Sequence, residues 1–229
     1  MMLGARTGAW AKSGGGVPTA RDYVQDGLIA MWDGIENAGW GIHDSSAATW
    51  KDLVGGNDLV LKNTAHFDEN SLVSADRDKL TALCSSKLPY ASIEVCGFVD
   101  ESRNSSALVC FGNSVDVNRM FSCSKQSMQT YNGNHMLKLT TPVDPKCTWA
   151  GVHDGNRHDA YVRGELATGT IMNNYWSATD SLFGLSGSDS YALWTFVGEY
   201  YSVRLYSRAL TAEEIAYNYA IDKARFGIP

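Results

Sequence analysis

The sequence feature with the clearest chemical meaning is a short run of amide and aromatic side chains, Asn173, Asn174, Tyr175 and Trp176. A sugar presents an apolar ring face and several hydroxyl groups, so a sugar site combines an aromatic platform with hydrogen-bonding side chains. We expect the two aromatic rings to stack on a sugar and the two amides to bond its hydroxyl groups. The alternative is that Trp176 folds over the end of a protein core.

Two other segments and one acid extend this predicted sugar site. Tyr131 and Asn132 precede a Gly-Asn pair, and Trp40 lies in a polar loop after the first predicted strand. Both aromatic rings have the same alternative, packing over the end of the core. Glu94 lies on the polar face of a predicted strand, and we assign it as an outer ligand contact because that face is expected to stay available.

The acidic residues are spaced unfavourably for glycoside hydrolysis. That reaction needs two carboxylates about 5–9.5 Å apart, and residues i and i+2 of a strand share a face about 6.5–7 Å apart. Glu94 and Glu199 each lie alone on their strands, while Asp76 and Asp78 lie in a predicted loop. No G-x-S-x-G motif marks a serine nucleophile. The sequence predicts no catalytic residues. Whether acids from different strands lie close together in the fold is left open.

Two histidines flank a predicted turn. His153 and His158 lie on either side of Asp154-Gly155 and can approach each other across a hairpin. A zinc site needs a third protein ligand, and none is evident. We therefore expect two exposed imidazoles rather than a metal pair.

Calcium is the one cofactor that the loops suggest. It binds oxygen ligands from Asp, Asn and backbone carbonyl groups. The candidate sets are Asp76 with Asp78, and Asn113 with Asp116 and Asn118. These residue types also form ordinary turns, so the metal ligands stay unassigned.

The composition indicates a globular protein. The chain has 229 residues, of which 44% are hydrophobic and 19% charged, with a net charge of −6. Without a basic block, nucleic acid is not expected as a partner. Neither a signal peptide nor an apolar run of about 18 residues is present, so secretion and membrane insertion are not predicted. We expect a flexible Gly-rich arm over residues 1–22 and one domain over 23–229.

The five cysteines, Cys84, Cys96, Cys110, Cys123 and Cys147, are twelve or more residues apart. No C-x-x-C pair occurs, which argues against a structural zinc site or a redox motif. We expect reduced thiols that pack as small apolar side chains. Among the tryptophans, we place Trp32, Trp149 and Trp194 in the core and Trp50 at one end of it.

Turn signals every 8–12 residues predict a sandwich or barrel of short strands. The predicted strands cover residues 27–32, 58–61, 92–99, 107–111, 120–124, 128–131, 136–139, 148–152, 159–162, 181–185 and 194–206. In the last strand, alternation places Tyr200, Ser202 and Arg204 on one face and Tyr201, Val203 and Leu205 on the other. Neither face is purely polar, which is typical of a central strand covered on both sides.

Three hairpins and one helix complete the predicted elements. Hairpin turns are expected at Asp154-Gly155-Asn156, at Arg163-Gly164 and at Asn132-Gly133, which implies antiparallel pairing. Thr211 and Glu214 form a capping box at the start of a C-terminal helix. Its apolar side, with Ile215, Tyr219 and Ala220, is expected to lie on the sheet.

Several segments in this order resemble the laminin-G-like branch of the concanavalin A-like lectin/glucanase superfamily. They are DGLIAMWDG, WKDLVGGNDLVL, ASIEVCGFVD, TWAGVHDGNRHDAYVRGE and FVGEYYSVRLYSRALTAEEIAYNYA, within residues 26–226. The resemblance implies an all-β protein, an antiparallel jelly-roll β-sandwich with a short C-terminal helix. It also implies sugar binding on a concave sheet face or in rim loops, sometimes beside calcium.

These patterns together favour a non-catalytic carbohydrate-binding or adhesion module. The alternative is a structural or assembly module of a phage virion or bacterial surface protein, which has no small-molecule ligand and docks through its N-terminal arm. The location is left unassigned, and a virion, cell-surface or extracellular location is only suspected, because no signal peptide is visible. Because the same scaffold also carries glycosidases, hydrolysis is the third hypothesis.

Overall fold

The computed structural model describes most of the chain outside residues 1–15. The described residues are 16–75, 81–86, 88, 90–100, 109–111, 119–124, 127–132, 144–155, 157–171, 183–185 and 196–229. Within residues 109–132, and at residues 170 and 171, the description is limited to the backbone.

Fifteen strands and one α-helix are formed by the described residues. The strands are β1 (Leu28–Asp33), β2 (Thr49–Trp50), β3 (Leu59–Leu61), β4 (His66–Phe67), β5 (Leu72–Ser74), β6 (Ala82–Cys84), β7 (Ser92–Val99), β8 (Val109–Phe111), β9 (Arg119–Ser124), β10 (Ser127–Asn132), β11 (Lys146–His153), β12 (Arg157–Val162), β13 (Glu165–Ile171), β14 (Phe183–Leu185) and β15 (Gly198–Tyr206). The helix is α1 (Ala212–Phe226), and Ala20–Asp22 form one 3₁₀ turn.

The strands form two antiparallel sheets. The eight-stranded sheet has the order β13-β12-β11-β7-β15-β5-β4, with β1 also paired to β15, and the seven-stranded sheet has the order β10-β9-β8-β14-β6-β3-β2. The turn at Arg163-Gly164 joins β12 to β13 with positive φ at both residues, 55° and 77°, as a tight hairpin requires. The predicted antiparallel β-sandwich is confirmed.

The main core lies between the two sheets. Trp32, Trp50 and Trp149 are at most 1% exposed, and the Trp32 ring stacks on Phe183 at 5.1 Å. The indole N–H groups of Trp32 and Trp50 donate to backbone carbonyl groups, which removes the cost of burying them. The core positions predicted for Trp32 and Trp149 are confirmed, whereas Trp194 lies outside the described residues.

A register shift in β15 changes the predicted faces of this strand. The shift lies between Tyr200 and Ser202 in the pairing with β7, so Tyr201 is an extra residue. Beyond it, Val203 joins Tyr200 in the core between the sheets, while Tyr201 packs on the outer side of the eight-stranded sheet. The uninterrupted alternation predicted for this strand was therefore wrong.

Helix α1 covers the outer face of the eight-stranded sheet. The predicted capping box is present, with Thr211 accepting from the Glu214 amide, and the helix ends at Gly227, whose φ is 60°. The buried positions of the helix are Ile215, Asn218, Ile221, Asp222 and Phe226. Ala220 is exposed rather than turned to the sheet as predicted, and two polar residues lie on the buried face instead.

Those polar residues belong to a fully buried ionic network. Arg204 donates from Nη2 to Asp222 Oδ2 at 2.7 Å and from Nε to Glu94 Oε2 at 3.0 Å, and all three side chains have 0% exposure. Asn218 Nδ2 also donates to Glu94 Oε2, at 2.7 Å. The network joins strand β7, strand β15 and helix α1, and burial raises the pKa of Glu94.

The chain just before β1 covers this network. The Tyr23 hydroxyl donates to Asp222 at 2.7 Å, and the Val24 amide donates to the Asn218 side chain at 2.9 Å. Ala20 is fully buried, and Thr19 caps the 3₁₀ turn. The predicted arm over residues 1–22 was therefore too long, because residues 19–22 belong to the folded body.

Arg204→Met should lower the free energy of unfolding by about 3–5 kcal/mol, because two buried carboxylates lose their cation. Urea unfolding at pH 7, followed by tryptophan fluorescence, measures this. Arg204→Lys, which keeps the charge without the forked contact, should lose less. Glu94→Gln is the matched control and should cost about 1 kcal/mol or less, because the amide oxygen still accepts from Arg204. A loss below about 1 kcal/mol for Arg204→Met would contradict the network's importance.

Candidate functional site

Most of the predicted sugar-binding residues are not in the described part of the chain. Asn173, Asn174, Tyr175 and Trp176 lie outside the described residues, so their role stays a prediction. The backbone of Tyr131 and Asn132 belongs to β10, which is an edge strand of the seven-stranded sheet among the described strands.

Trp40 is placed against the folded N-terminal segment. Its ring is partly buried against the cluster of apolar residues under α1, and the guanidinium of Arg21 lies over it, 4.1 Å from the centroid. Glu36 supports this loop by accepting from the Gly41 amide at 2.8 Å. One face of the predicted platform is therefore already occupied by a cation.

Glu94 is not an outer contact. It has 0% exposure, because helix α1 covers the strand face that was expected to stay available. Its Oε2 accepts from both Arg204 and Asn218. A ligand at the surface cannot reach it, and the predicted role as a ligand contact was wrong.

A cleft of about 250 Å³ lies where β5, β7 and β15 come together at one end of the eight-stranded sheet. The Asp100 amide donates to the Val197 carbonyl at 2.8 Å, which ties the chain after β7 to the chain before β15. The lining includes Val73, Ser74, Phe98, Asp100, Gly198 and Glu199.

The close approach of β7 and β15 at this cleft requires glycine. Gly198 has φ of 150°, and a Cβ atom built there would lie 1.9 Å from the Phe98 carbonyl oxygen. No side chain can fit in that space. This part of the cleft wall therefore consists of backbone atoms, as expected where a strand glycine allows another backbone to approach closely.

The side chain of Glu199 accepts a hydrogen bond from a residue two positions further along the same strand. The Tyr201 hydroxyl donates to Glu199 Oε2 at 2.7 Å, and the Tyr201 ring stacks on Phe226 of α1 at 5.4 Å. The ammonium of Lys146 lies 5.0 Å from the same ring. Burial and the bond to Glu199 raise the pKa of Tyr201, so it stays a neutral donor.

The cleft combines one half-buried aromatic ring, Phe98, with two half-buried carboxylates, Asp100 and Glu199. An aromatic face can pack on a sugar ring, and carboxylates accept hydrogen bonds from hydroxyl groups. The analysis of single strands missed this pair, because Glu199 lies in β15 whereas Asp100 follows the end of β7. Pairing 92–99 with 194–206 as antiparallel neighbours would have brought both to one sheet end.

The two histidines form a buried pair rather than exposed turn residues. His153 and His158 are opposite each other in the β11 and β12 pairing, with ring centroids 6.0 Å apart and exposures of 3% and 0%. Burial lowers the pKa of His158 to about 4. The expected exposed imidazoles were therefore wrong, because these strand ends are covered.

No group of three or more His, Cys, Asp and Glu side chains is arranged to hold a metal ion in the described part of the chain. The calcium candidates Asp76, Asp78, Asn113, Asp116 and Asn118 lie outside it. Calcium binding stays a prediction.

Three of the cysteines lie in the described core. Cys84, Cys96 and Cys147 are free thiols with 0% exposure, as expected. Burial raises the pKa of Cys147 to about 12, so its reactive thiolate form is rare at neutral pH. These side chains are packing groups.

Among the described residues, no helix has the length and apolar character that crossing a membrane requires.

Comparisons with known proteins give matches by structure alone. No family model and no curated protein sequence matches the chain. Trypanosoma rangeli sialidase in complex with 2,3-difluoro-KDN is similar with a TM-score of 0.63 and 19% identity, over 96% of this chain and 36% of that chain. The same sialidase in complex with sialic acid gives a TM-score of 0.62 and 17% identity, over 90% of this chain and 34% of that chain.

This chain thus spans about a third of the length of the sialidase structures that it resembles. At these identities the likeness shows the shared sandwich fold. The CBM40 domain of Ruminococcus gnavus IT-sialidase, bound to alpha2,3 sialyllactose, has a TM-score of 0.48 and 17% identity, over 56% of this chain and 81% of that one. That likeness is too slight to carry an argument. The laminin-G-like assignment stays a prediction.

Acid should destabilise the protein through His158. Its pKa is about 4 in the folded chain against an ordinary 6.5, so between these values the unfolded chain binds a proton that the folded chain does not. This contribution to stability is present above pH 6.5 and falls by about 3 kcal/mol as the pH reaches 4.

The measurement is the free energy of unfolding in urea between pH 7 and pH 4. His158→Gln should flatten the curve by about that amount, whereas His66→Gln, which removes an exposed imidazole, should leave it unchanged. An equal acid slope in His158→Gln and the unaltered protein would contradict the assignment.

Proposed function

We propose that this chain is a non-catalytic carbohydrate-binding module. The observation that supports the proposal is the cleft at the end of β5, β7 and β15, where the ring of Phe98 lies beside the carboxylates of Asp100 and Glu199. The ring would pack on the apolar face of a sugar. The carboxylate oxygens would accept from its hydroxyl groups.

The size of the cleft fits a small part of a glycan. Its volume of about 250 Å³ is below the roughly 300–1,000 Å³ of sites that enclose drug-sized ligands. A terminal sugar residue would occupy it, and the rest of the glycan would extend over the surface. Asn173, Asn174, Tyr175 and Trp176 lie outside the described residues and, like Tyr131 and Asn132, remain sugar contacts predicted from the sequence.

The comparisons support the scaffold for this function and leave the ligand open. The sialidase structures share the sandwich, and one of them is a complex with sialic acid. At 17% identity that ligand is not transferred to this chain.

Glycoside hydrolysis is the second candidate, because two carboxylates line one cleft. A hydrolase must hold sugar units on both sides of the bond that it cleaves, flanked by its two carboxylates. A cleft of about 250 Å³ at the end of a sheet favours the capture of one unit instead. We therefore place binding ahead of hydrolysis.

Phe98→Leu should weaken retention on a glycan array at least tenfold, because the leucine fills the apolar space without offering a flat ring. The control Val60→Thr alters an exposed side chain of the seven-stranded sheet and should leave retention unchanged. Trp176→Ala tests the loop contacts on the same array. No retained glycan with any protein would reject the proposal in favour of a structural or assembly module.

Prolonged incubation of the pure protein with a panel of polysaccharides should release no reducing ends, as expected of a binding module. If the unaltered protein releases reducing ends and the variants Glu199→Gln and Asp100→Asn both fail to do so, the protein is a hydrolase that uses the carboxylate pair. Reducing-end assays over the whole panel make the distinction.

A further inference from the structure

We propose that Tyr201, which does not line the cleft, is a positioning residue for carbohydrate binding. It holds the carboxylate of Glu199 in one orientation, in which this carboxylate accepts a hydrogen bond from a sugar hydroxyl group. The inference rests on the proposed carbohydrate-binding function. It goes beyond that function by assigning part of the binding strength to a residue on the outer side of the eight-stranded sheet.

A hydrogen bond joins Tyr201 to the wall of the cleft. The Tyr201 hydroxyl donates to Glu199 Oε2 at 2.7 Å, and Glu199 lines the cleft. A bond to a charged acceptor is stronger than one between neutral groups. A carboxylate can accept about four hydrogen bonds, so Glu199 can accept from Tyr201 and from a sugar hydroxyl group at the same time.

The ring of Tyr201 is itself held by the end of helix α1. It is 4% exposed and stacks on Phe226, with 5.4 Å between the ring centroids and 20° between the ring planes. Both rings belong to one apolar cluster with Cys96 and Ile228. Because this cluster fixes the ring, the hydroxyl group donates to Glu199 from a fixed position.

The extra residue in β15 places Tyr201 on this side of the sheet. Successive residues of a regular strand point to opposite faces, but Tyr201 and Ser202 both lie on the face that α1 covers. Ser202 Oγ accepts from Arg204 Nη1 at 2.7 Å, within the buried ionic network. The strand can therefore supply one residue to the network and the next to the cleft.

The same apolar cluster supports the aromatic side of the cleft. Phe98 lines the cleft and packs against the cluster that contains Tyr201 and Phe226. Both proposed sugar contacts, the Phe98 ring and the Glu199 carboxylate, thus depend on one support. A side chain that is fixed before the ligand arrives loses less entropy on binding, which changes the affinity by about threefold to tenfold.

The test uses an array of glycans that end in galactose, glucose, mannose, N-acetylglucosamine or sialic acid. Tyr201→Phe keeps the ring but removes the donor to Glu199, so the retention of the bound glycans should fall about threefold to tenfold. The matched control Tyr161→Phe removes a hydroxyl group from a ring under the same helix, on β12 and away from the cleft lining, and should leave retention unchanged. Urea unfolding checks that each variant is folded.

A second pair of proteins separates positioning from a general loss of structure. Glu199→Ala removes the carboxylate, so adding Tyr201→Phe to this variant should change retention by less than about twofold. A general structural effect of Tyr201→Phe would instead lower retention by the same factor in both backgrounds. If Glu199→Ala retains no glycan, the comparison of Tyr201→Phe with Tyr161→Phe decides alone.

The outcomes distinguish the positioning role from carbohydrate binding itself. Equal retention by Tyr201→Phe and the unaltered protein, an equal loss in Tyr161→Phe, or the same loss with and without Glu199 would overturn the positioning role and leave carbohydrate binding standing. If neither the unaltered protein nor any variant retains a glycan, carbohydrate binding is rejected, and the positioning role with it.

Discussion

The fold depends on one buried cation, Arg204, which must be paired with side chains from elements that are distant in the sequence. Its guanidinium binds Glu94 of β7 and Asp222 of α1, and Tyr23 covers it with a ring 4.0 Å away. Buried charges are costly unless every partner is present, so the helix, the sheet and the chain before β1 must assemble together. A neighbouring pair, Arg225 with Asp33, repeats the arrangement about one turn further along the helix.

The sequence predicts those parts of the fold that carry long periodic patterns. Strand β7 was predicted with its observed bounds, and the capping box of Thr211 was sufficient to start the helix. Strands of two or three residues, such as β4 and β5, contain too little alternation to be recognised. Asn218 and Asp222 look like surface residues of the helix, because the partners that account for their burial, Glu94 and Arg204, lie on other elements.

The candidate site, like the fold, is predicted from the sequence only in part. Of the cleft residues Phe98, Asp100 and Glu199, the sequence analysis singled out only Glu199, as a lone acid, because single-strand patterns do not show that two strands lie side by side at one sheet end. The extra residue Tyr201 reverses the face of the rest of β15, and nothing in its type signals this. Local patterns therefore predict the strands β7 and β15, while the pairing of these two strands brings the residues of the site together.

The reactivity of the three buried thiols can be used to measure the opening of this fold without introducing new cysteines. Cys84 and Cys147 lie between the two sheets, whereas Cys96 lies outside them with Tyr201 and Phe226. A thiol buried in this way reacts only after the surrounding structure opens. If Cys96 is chemically modified faster than Cys84 and Cys147, the helix leaves the sheet before the two sheets separate. The cysteines therefore report separately on two interfaces of one domain.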